Sequence, residues 1–153
     1  MKKLYFMMFL SVIAFGFNSH AMDPEARTIV KKLKELNGRE GKVASNIEKE
    51  STGVCRITVD QDEDGISVSF EGTGYYFTPI AHIFSDVEVE DKNTLIVSTN
   101  SNRPGGDACG DFGGAVGYKK MISLKNRQVK IEETFRCTLE GFKKYKLITT
   151  CTL

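Results

Sequence analysis

The sequence predicts a mostly β domain of about seven to nine antiparallel strands, closed as a barrel or stacked as a sandwich. One N-terminal α-helix and two disulfides accompany the strands. Three observations carry this. In the stretch from Gly53 to Gly72, Cys55, Ile57 and Val59 alternate on one side of an acidic turn, and Ile66, Val68 and Phe70 answer on the other. Period-two alternation places each set on one face of a pleated strand, so the stretch reads as a β-hairpin. The same alternation recurs down to the C-terminus between turn-type residues, and all four cysteines of the chain (55, 109, 137 and 151) fall in this β region.

The first 21 residues read as a separate object. Lys2 and Lys3 precede an apolar run from Leu4 to Phe17, and Ser19-His20-Ala21 ends in a small residue. This is the pattern of a secretory signal cleaved after Ala21. The run holds 14 residues, short of the ~20 that a spanning helix needs, so no integral membrane span is expected after processing. The expected destination is periplasmic or extracellular. The whole chain has 21 Lys+Arg and 20 Asp+Glu; losing Lys2 and Lys3 leaves 19 against 20, a net charge of −1. Near-neutrality argues against a nucleic-acid partner or a polybasic membrane role. His82 is the only histidine beyond the leader.

Residues 22–52 are expected to supply a helix and a polar connection, and 53–153 the β domain. Asp23-Pro24-Glu25 opens a helix with a capping oxygen, a proline in the first turn and an acid near the positive end. Ile29, Val30, Leu33 and Leu36 recur at helical spacing, and Asn37-Gly38 stops it. Residues 39–52 give no clear period. After the first hairpin, Gly72-Thr73-Gly74 reads as a turn or a bulge, and Pro79 to Phe84 as a short apolar segment. Val87 and Val89, a turn at Asp91 to Thr94, and Leu95 to Ser98 form the next hairpin. A loop from Asn100 to Gly114 follows. Two further hairpins turn at Lys125-Asn126 and near Gly141-Phe142.

Four cysteines in an exported domain without C-x-x-C imply two disulfides. A last turn near Gly141-Phe142 sets Cys137 opposite Lys146 and Cys151 opposite Glu132. The two are then about 17 Å apart at ~3.4 Å per residue, too far to join. The turn at Lys125-Asn126 brings Cys137 opposite Gly114, where the loop carrying Cys109 arrives. The expected pairs are Cys109–Cys137 and Cys55–Cys151.

Three places could hold chemistry. Asp60-Gln61-Asp62-Glu63-Asp64-Gly65, with Glu71 six positions on, matches the calcium-loop pattern D-x-D-x-D-G-x5-E. Its flanks are strands rather than helices, and an extended strand carries Glu71 about 20 Å from Gly65. A solvated hairpin tip is the favoured reading, with a calcium site on Asp60, Asp62 and Asp64 as the alternative. The Gly-rich loop offers Arg103, Asp107, Asp111 and Phe112 as a recognition surface pinned by Cys109. His82 reads as a half-buried structural residue among Pro79, Ile80, Ile83 and Phe84, with a catalytic role as the alternative. Glu132-Glu133 and Asp107/Asp111 are the carboxylate pairs that could serve acid–base work.

If successive strands alternate in direction, His82, the Gly-rich loop and Gly141-Phe142-Lys143 share one end. The acidic tip joins them if Gly72-Thr73-Gly74 is a turn, which a Cys55–Cys151 bridge favours. The resulting expectation is a non-catalytic exported binding protein. It would recognise a protein or envelope component through Arg103, Asp107, Asp111, Phe112, His82 and Phe142, an inhibitor being one version. At the level of fold an eight-stranded exported barrel is similar to the lipocalins, although their Gly-x-Trp signature is absent and the chain has no tryptophan. That similarity implies a carrier of a small apolar ligand as one alternative. Periplasmic lysozyme inhibitors share the size and style, but no loop here matches theirs. A small enzyme using His82 or loop carboxylates is the other alternative. No cofactor is expected apart from the calcium alternative.

Overall fold

A computed structural model describes residues 21–46, 53–63, 65–72, 79–104, 109, 114–138 and 141–153. Helix α1 (Pro24–Lys34) is followed by nine strands. These are β1 (Glu40–Ser45), β2 (Gly53–Gln61), β3 (Ile66–Glu71), β4 (Ile80–Ile83), β5 (Glu88–Asp91), β6 (Thr94–Pro104), β7 (Gly114–Lys125), β8 (Gln128–Cys137) and β9 (Lys143–Thr152). They form one antiparallel sheet in the order β4-β3-β2-β1-β9-β8-β7-β6-β5.

The order explains the shape. β4 and β5 are opposite edges of the sheet, yet residues 84–87 alone join them. Four residues span at most about 14 Å of extended chain. Nine strands at ~4.8 Å spacing would put the edges of a flat sheet far beyond that reach. The sheet therefore curls into a half-barrel, and β4 packs near β6 and β7 across the seam. Lys120 of β7 ties this seam. Its ammonium donates to the carbonyl of Ile80 at 2.7 Å and pairs with Glu133 of β8 at 2.8 Å.

Helix α1 begins where the sequence places it. The Asp23 carboxylate accepts from the amides of Glu25 and Ala26, satisfying helix donors that otherwise lack partners. Ala26, Ile29, Val30 and Leu33 are buried with Cys55, Ile57, Val68, Phe70, Leu95, Ile122, Val129, Ile131 and Cys151. The inner face of the curled sheet thus closes on the apolar stripe of its own helix. Gly38, at φ 75°, turns the chain out of the helix, and its amide donates to the Ile57 carbonyl at 2.7 Å.

β1 comes from the stretch without a readable period, and it is an interior strand. It pairs with β2 on one side and β9 on the other, joining the two halves of the sheet. Both expected disulfides are present, Cys55–Cys151 with Cα atoms 5.9 Å apart and Cys109–Cys137 at 5.4 Å. Cys55 stands beside Gly41 and Cys151 beside Val43, so the first bridge straddles β1. Two strand spacings would be about 9.5 Å, so the sheet is pinched there. Gly41 permits this: a Cβ on it would sit 2.3 Å from the Thr152 carbonyl oxygen.

Three expectations need correction. The Gly-rich loop is shorter than Asn100 to Gly114, because β6 runs on to Pro104 and pairs it with Gly114; proline is tolerated at a strand end. Cys137 lies opposite Lys143 and Cys151 opposite Val129, a shift of three residues from the expected register. The cause is a five-residue connection closed by the Phe142 amide on the Cys137 carbonyl. On its other side Cys137 faces Ala115 rather than Gly114, since the turn falls at Asn126-Arg127 and β7 carries a bulge. Residues 75–77 lie outside the described residues.

Two substitutions test the closure. Gly41→Ala should cost about 1–3 kcal/mol in denaturant unfolding, because the new methyl meets backbone rather than a movable side chain. Gly53→Ala is the control, its Cβ meeting only Val43 at an ordinary 3.7 Å. Lys120→Met should cost on the order of 3 kcal/mol by leaving the largely buried Glu133 without this ion pair. Adding Glu133→Leu should restore most of that loss.

Candidate functional site

Strand directions sort the connections into two ends. The β1–β2, β3–β4, β6–β7 and β8–β9 connections lie at one, here called the loop end. The acidic tip, the β5–β6 and β7–β8 turns and Leu153 lie at the other. The inner face is filled by α1 toward the second end and by a separate cluster toward the loop end.

This division corrects the expected grouping of site residues. His82 lies on β4 opposite Ser67, and β4 leads away from the loop end toward the acidic tip. The tip itself is at the end opposite Gly141-Phe142, even though β3 and β4 are separate antiparallel strands. His82 is also exposed rather than half-buried. Alternation turns Ala81 and Ile83 inward and His82 outward, so apolar sequence neighbours do not bury it. Its ring stacks near Phe84, with centroids 6.4 Å apart, beside a surface hollow of about 480 Å³ that Asp62 and Ser67 also line.

At the acidic tip, the Asp62 carboxylate accepts from the Gly65 amide at 2.9 Å, and the Asp62 amide donates to the Gly65 carbonyl at 3.0 Å. The carboxylate closes the turn. Asp60 lies on β2 opposite Ser67, Glu71 lies far along the hairpin opposite Arg56, and Asp64 is outside the described residues. Among the described residues no three His, Cys, Asp or Glu side chains converge as metal ligands.

The loop end is built on the second disulfide. Arg103 opposes Ala115 at the rim of the β6–β7 ladder, and Asp107, Asp111 and Phe112 lie outside the described residues. Cys109, between them in sequence, is buried against Ala115, Tyr118, Phe135 and Cys137. The Gly114 amide donates to the Thr138 hydroxyl at 3.1 Å, adding a second tie between the loop's exit and β8. Beside it, Gly141 and Phe142 both have left-handed backbone, at φ 64° and 60°. That conformation suits glycine and is a true outlier for a bulky aromatic. Phe142 is nevertheless 58% exposed. The turn holds a large apolar side chain out in water on strained backbone.

Inside the same end, a row of aromatic rings crosses three strands. Tyr118 of β7 lies 6.4 Å from Phe135 of β8, which stacks 5.6 Å from Tyr145 of β9. The Lys143 ammonium sits 5.0 Å over the Tyr145 ring, a favourable cation–π distance. None of these residues stood out in the sequence, though Phe135 and Tyr145 are direct cross-strand partners. The hairpin register was the signal that would have found them.

Glu132 and Glu133 are not a carboxylate pair. Neighbours on a strand project to opposite faces, and each is engaged separately. Glu133 pairs inside with Lys120, while Glu132 pairs outside with Lys130 at 2.8 Å and Lys146 at 2.9 Å. Burial pushes the Glu132 carboxyl up. The hydrogen bonds and charges of Lys130 and Lys146 outweigh that and hold it below its ordinary 4.5. Among the described residues there is no free cysteine.

A depressed carboxylate stabilises the fold above its ordinary pKa, and the contribution is lost as pH falls through the folded value. Glu132→Gln should therefore cost about 2 kcal/mol near neutrality. The gap between wild type and variant should shrink as pH falls below 4.5, measured by urea unfolding at a series of pH values.

No protein-family model matches this chain, and no curated protein matches it.

Proposed function

We infer that this is an exported, non-catalytic binding protein that recognises a protein or envelope component through its loop end. One observation carries the reading: Phe142 is a large, exposed apolar side chain held on left-handed backbone at the rim of the domain. Strain of this kind concentrates at functional positions, and exposed aromatics on preformed turns are efficient anchors for partners. Arg103 lies at the same end, and Asp107, Asp111 and Phe112, outside the described residues, flank the disulfide-bonded Cys109 in sequence. His82 lies away from this end, so the proposed surface leaves it out.

The leader-like first 21 residues and the two disulfides support an oxidising destination, the periplasm or the exterior. Among the described residues no helix is long and apolar enough to cross a membrane. The helix packed on the inner face favours partner recognition over carriage of an apolar ligand inside the barrel.

Phe142→Gly separates fold from function. Relief of the left-handed backbone should raise stability by about 1 kcal/mol in denaturant unfolding. The same variant should lose the stable complex that native mass spectrometry detects after incubating the wild-type protein with envelope extract. Retention of that complex by Phe142→Gly and Arg103→Glu alike would reject the loop end as the binding surface.

A further inference from the structure

β7 carries one extra residue relative to β8, with the register shifting between Val116 and Lys119. Gly117 takes φ +61° at this bulge, and a Cβ on it would meet nothing within 4 Å. The glycine serves the backbone turn, and the space beside it is open. A hollow of about 350 Å³ lies there, lined by Val116, Gly117, Lys119, Thr134, Arg136 and Lys144.

Its charge is unusual for a sheet surface. Arg136 and Lys144 are direct partners across β8 and β9. Like charges in that relation repel and destabilise the pairing. Lys119 stands opposite Thr134 on the next strand pair. Nearby carboxylates are already engaged: Glu90 holds Lys119 at 3.0 Å, and Glu132 holds Lys130 and Lys146. Among the described residues, neither Arg136 nor Lys144 has an ion pair. Two opposed cations, neither with an ion pair among the described residues, border a hollow that Thr134 and the Glu90-paired Lys119 also line.

We propose that Arg136 and Lys144, with Thr134 beside them, form a binding site for a tetrahedral oxyanion of the phosphate or sulfate type. Cations from two adjacent strands suit an anion with several oxygens at once. The Arg136 guanidinium can donate two parallel hydrogen bonds while Lys144 acts as a point charge. A bound oxyanion would offset the repulsion between the facing Arg136 and Lys144. This goes beyond the partner reading above and does not depend on it, since Phe142 is not among the residues lining the hollow.

The test is a titration of the full-length mature chain with inorganic phosphate, followed by amide NMR and thermal unfolding, against sodium chloride at matched ionic strength. Saturable shifts at Gly117, Thr134, Arg136 and Lys144 are expected. The double variant Arg136→Gln/Lys144→Gln should bind phosphate on the order of 100-fold more weakly. In chloride alone it should be as stable as the wild type or more so. Sedimentation with phosphatidylglycerol vesicles then distinguishes a lipid headgroup from a free oxyanion, with phosphatidylcholine vesicles as the neutral control. Equal stabilisation of wild type and variant by phosphate would be general salting-out and would overturn the site. So would a variant destabilised in chloride, because Arg136 and Lys144 would then be serving the sheet itself.

Discussion

The structure depends on the pinch at β1, where the Cys55–Cys151 bridge straddles a strand bare of side chain at Gly41. Among the described strands, β1 is the one that joins the N-terminal run β2–β4 to the C-terminal run β5–β9. Without it the chain would make two separate meanders. The bridge closes a span of 96 residues. On the loop-entropy account it removes roughly 4–5 kcal/mol of freedom from the unfolded chain. It also brings β2 and β9 closer than two ordinary strand spacings, which starts the curl that the four-residue β4–β5 connection completes. The helix then has a concave surface to fill.

Closure divides the molecule into ends with different physics. Toward the acidic tip, the inner face is filled by aliphatic side chains from α1 and the sheet, and the connections are short turns. Toward the loop end the filling changes to aromatic rings and a disulfide, with the Lys120–Glu133 pair on the inner face between the strands that carry both clusters. A buried ion pair adds little net stability compared with well-packed apolar groups, but breaking it is costly. Here it also reaches the Ile80 carbonyl, so the same ammonium fixes the position of an edge strand. The second disulfide holds the mouth of the β6–β7 loop against β8. The loop end is therefore a set of connections on a stiff base, the arrangement that recognition surfaces commonly use.

The outer face follows a different rule. Glu132 pairs with both Lys130 and Lys146, and Lys119 is held by Glu90. Arg136 and Lys144 break that pattern by opposing each other across a hydrogen-bonded pair of strands. This pair lies next to the hollow beside the Gly117 bulge, and among the described residues neither cation has an ion pair.

Much of this was legible in the sequence for a simple reason: alternation, capping and hairpin register are local. They determined the helix and its start at Asp23, most of the strands, and both disulfides from the offset of cysteines about two turns. A register error of three residues did no harm there, because Cys137 and Cys151 remain far apart for any short turn. What local pattern could not decide was β1, whose six residues carry one buried side chain, Val43, and are strand only because β2 and β9 supply partners on both sides. Nor could it decide the ends. His82 and the acidic tip fall opposite the Gly-rich loop because strand direction accumulates over the whole sheet, and one connection placed differently reverses everything after it. The ring row of Tyr118, Phe135 and Tyr145, the seam lysine and the opposed cations at Arg136 and Lys144 share that origin. Each joins residues on different strands, and only the assembled sheet puts them side by side.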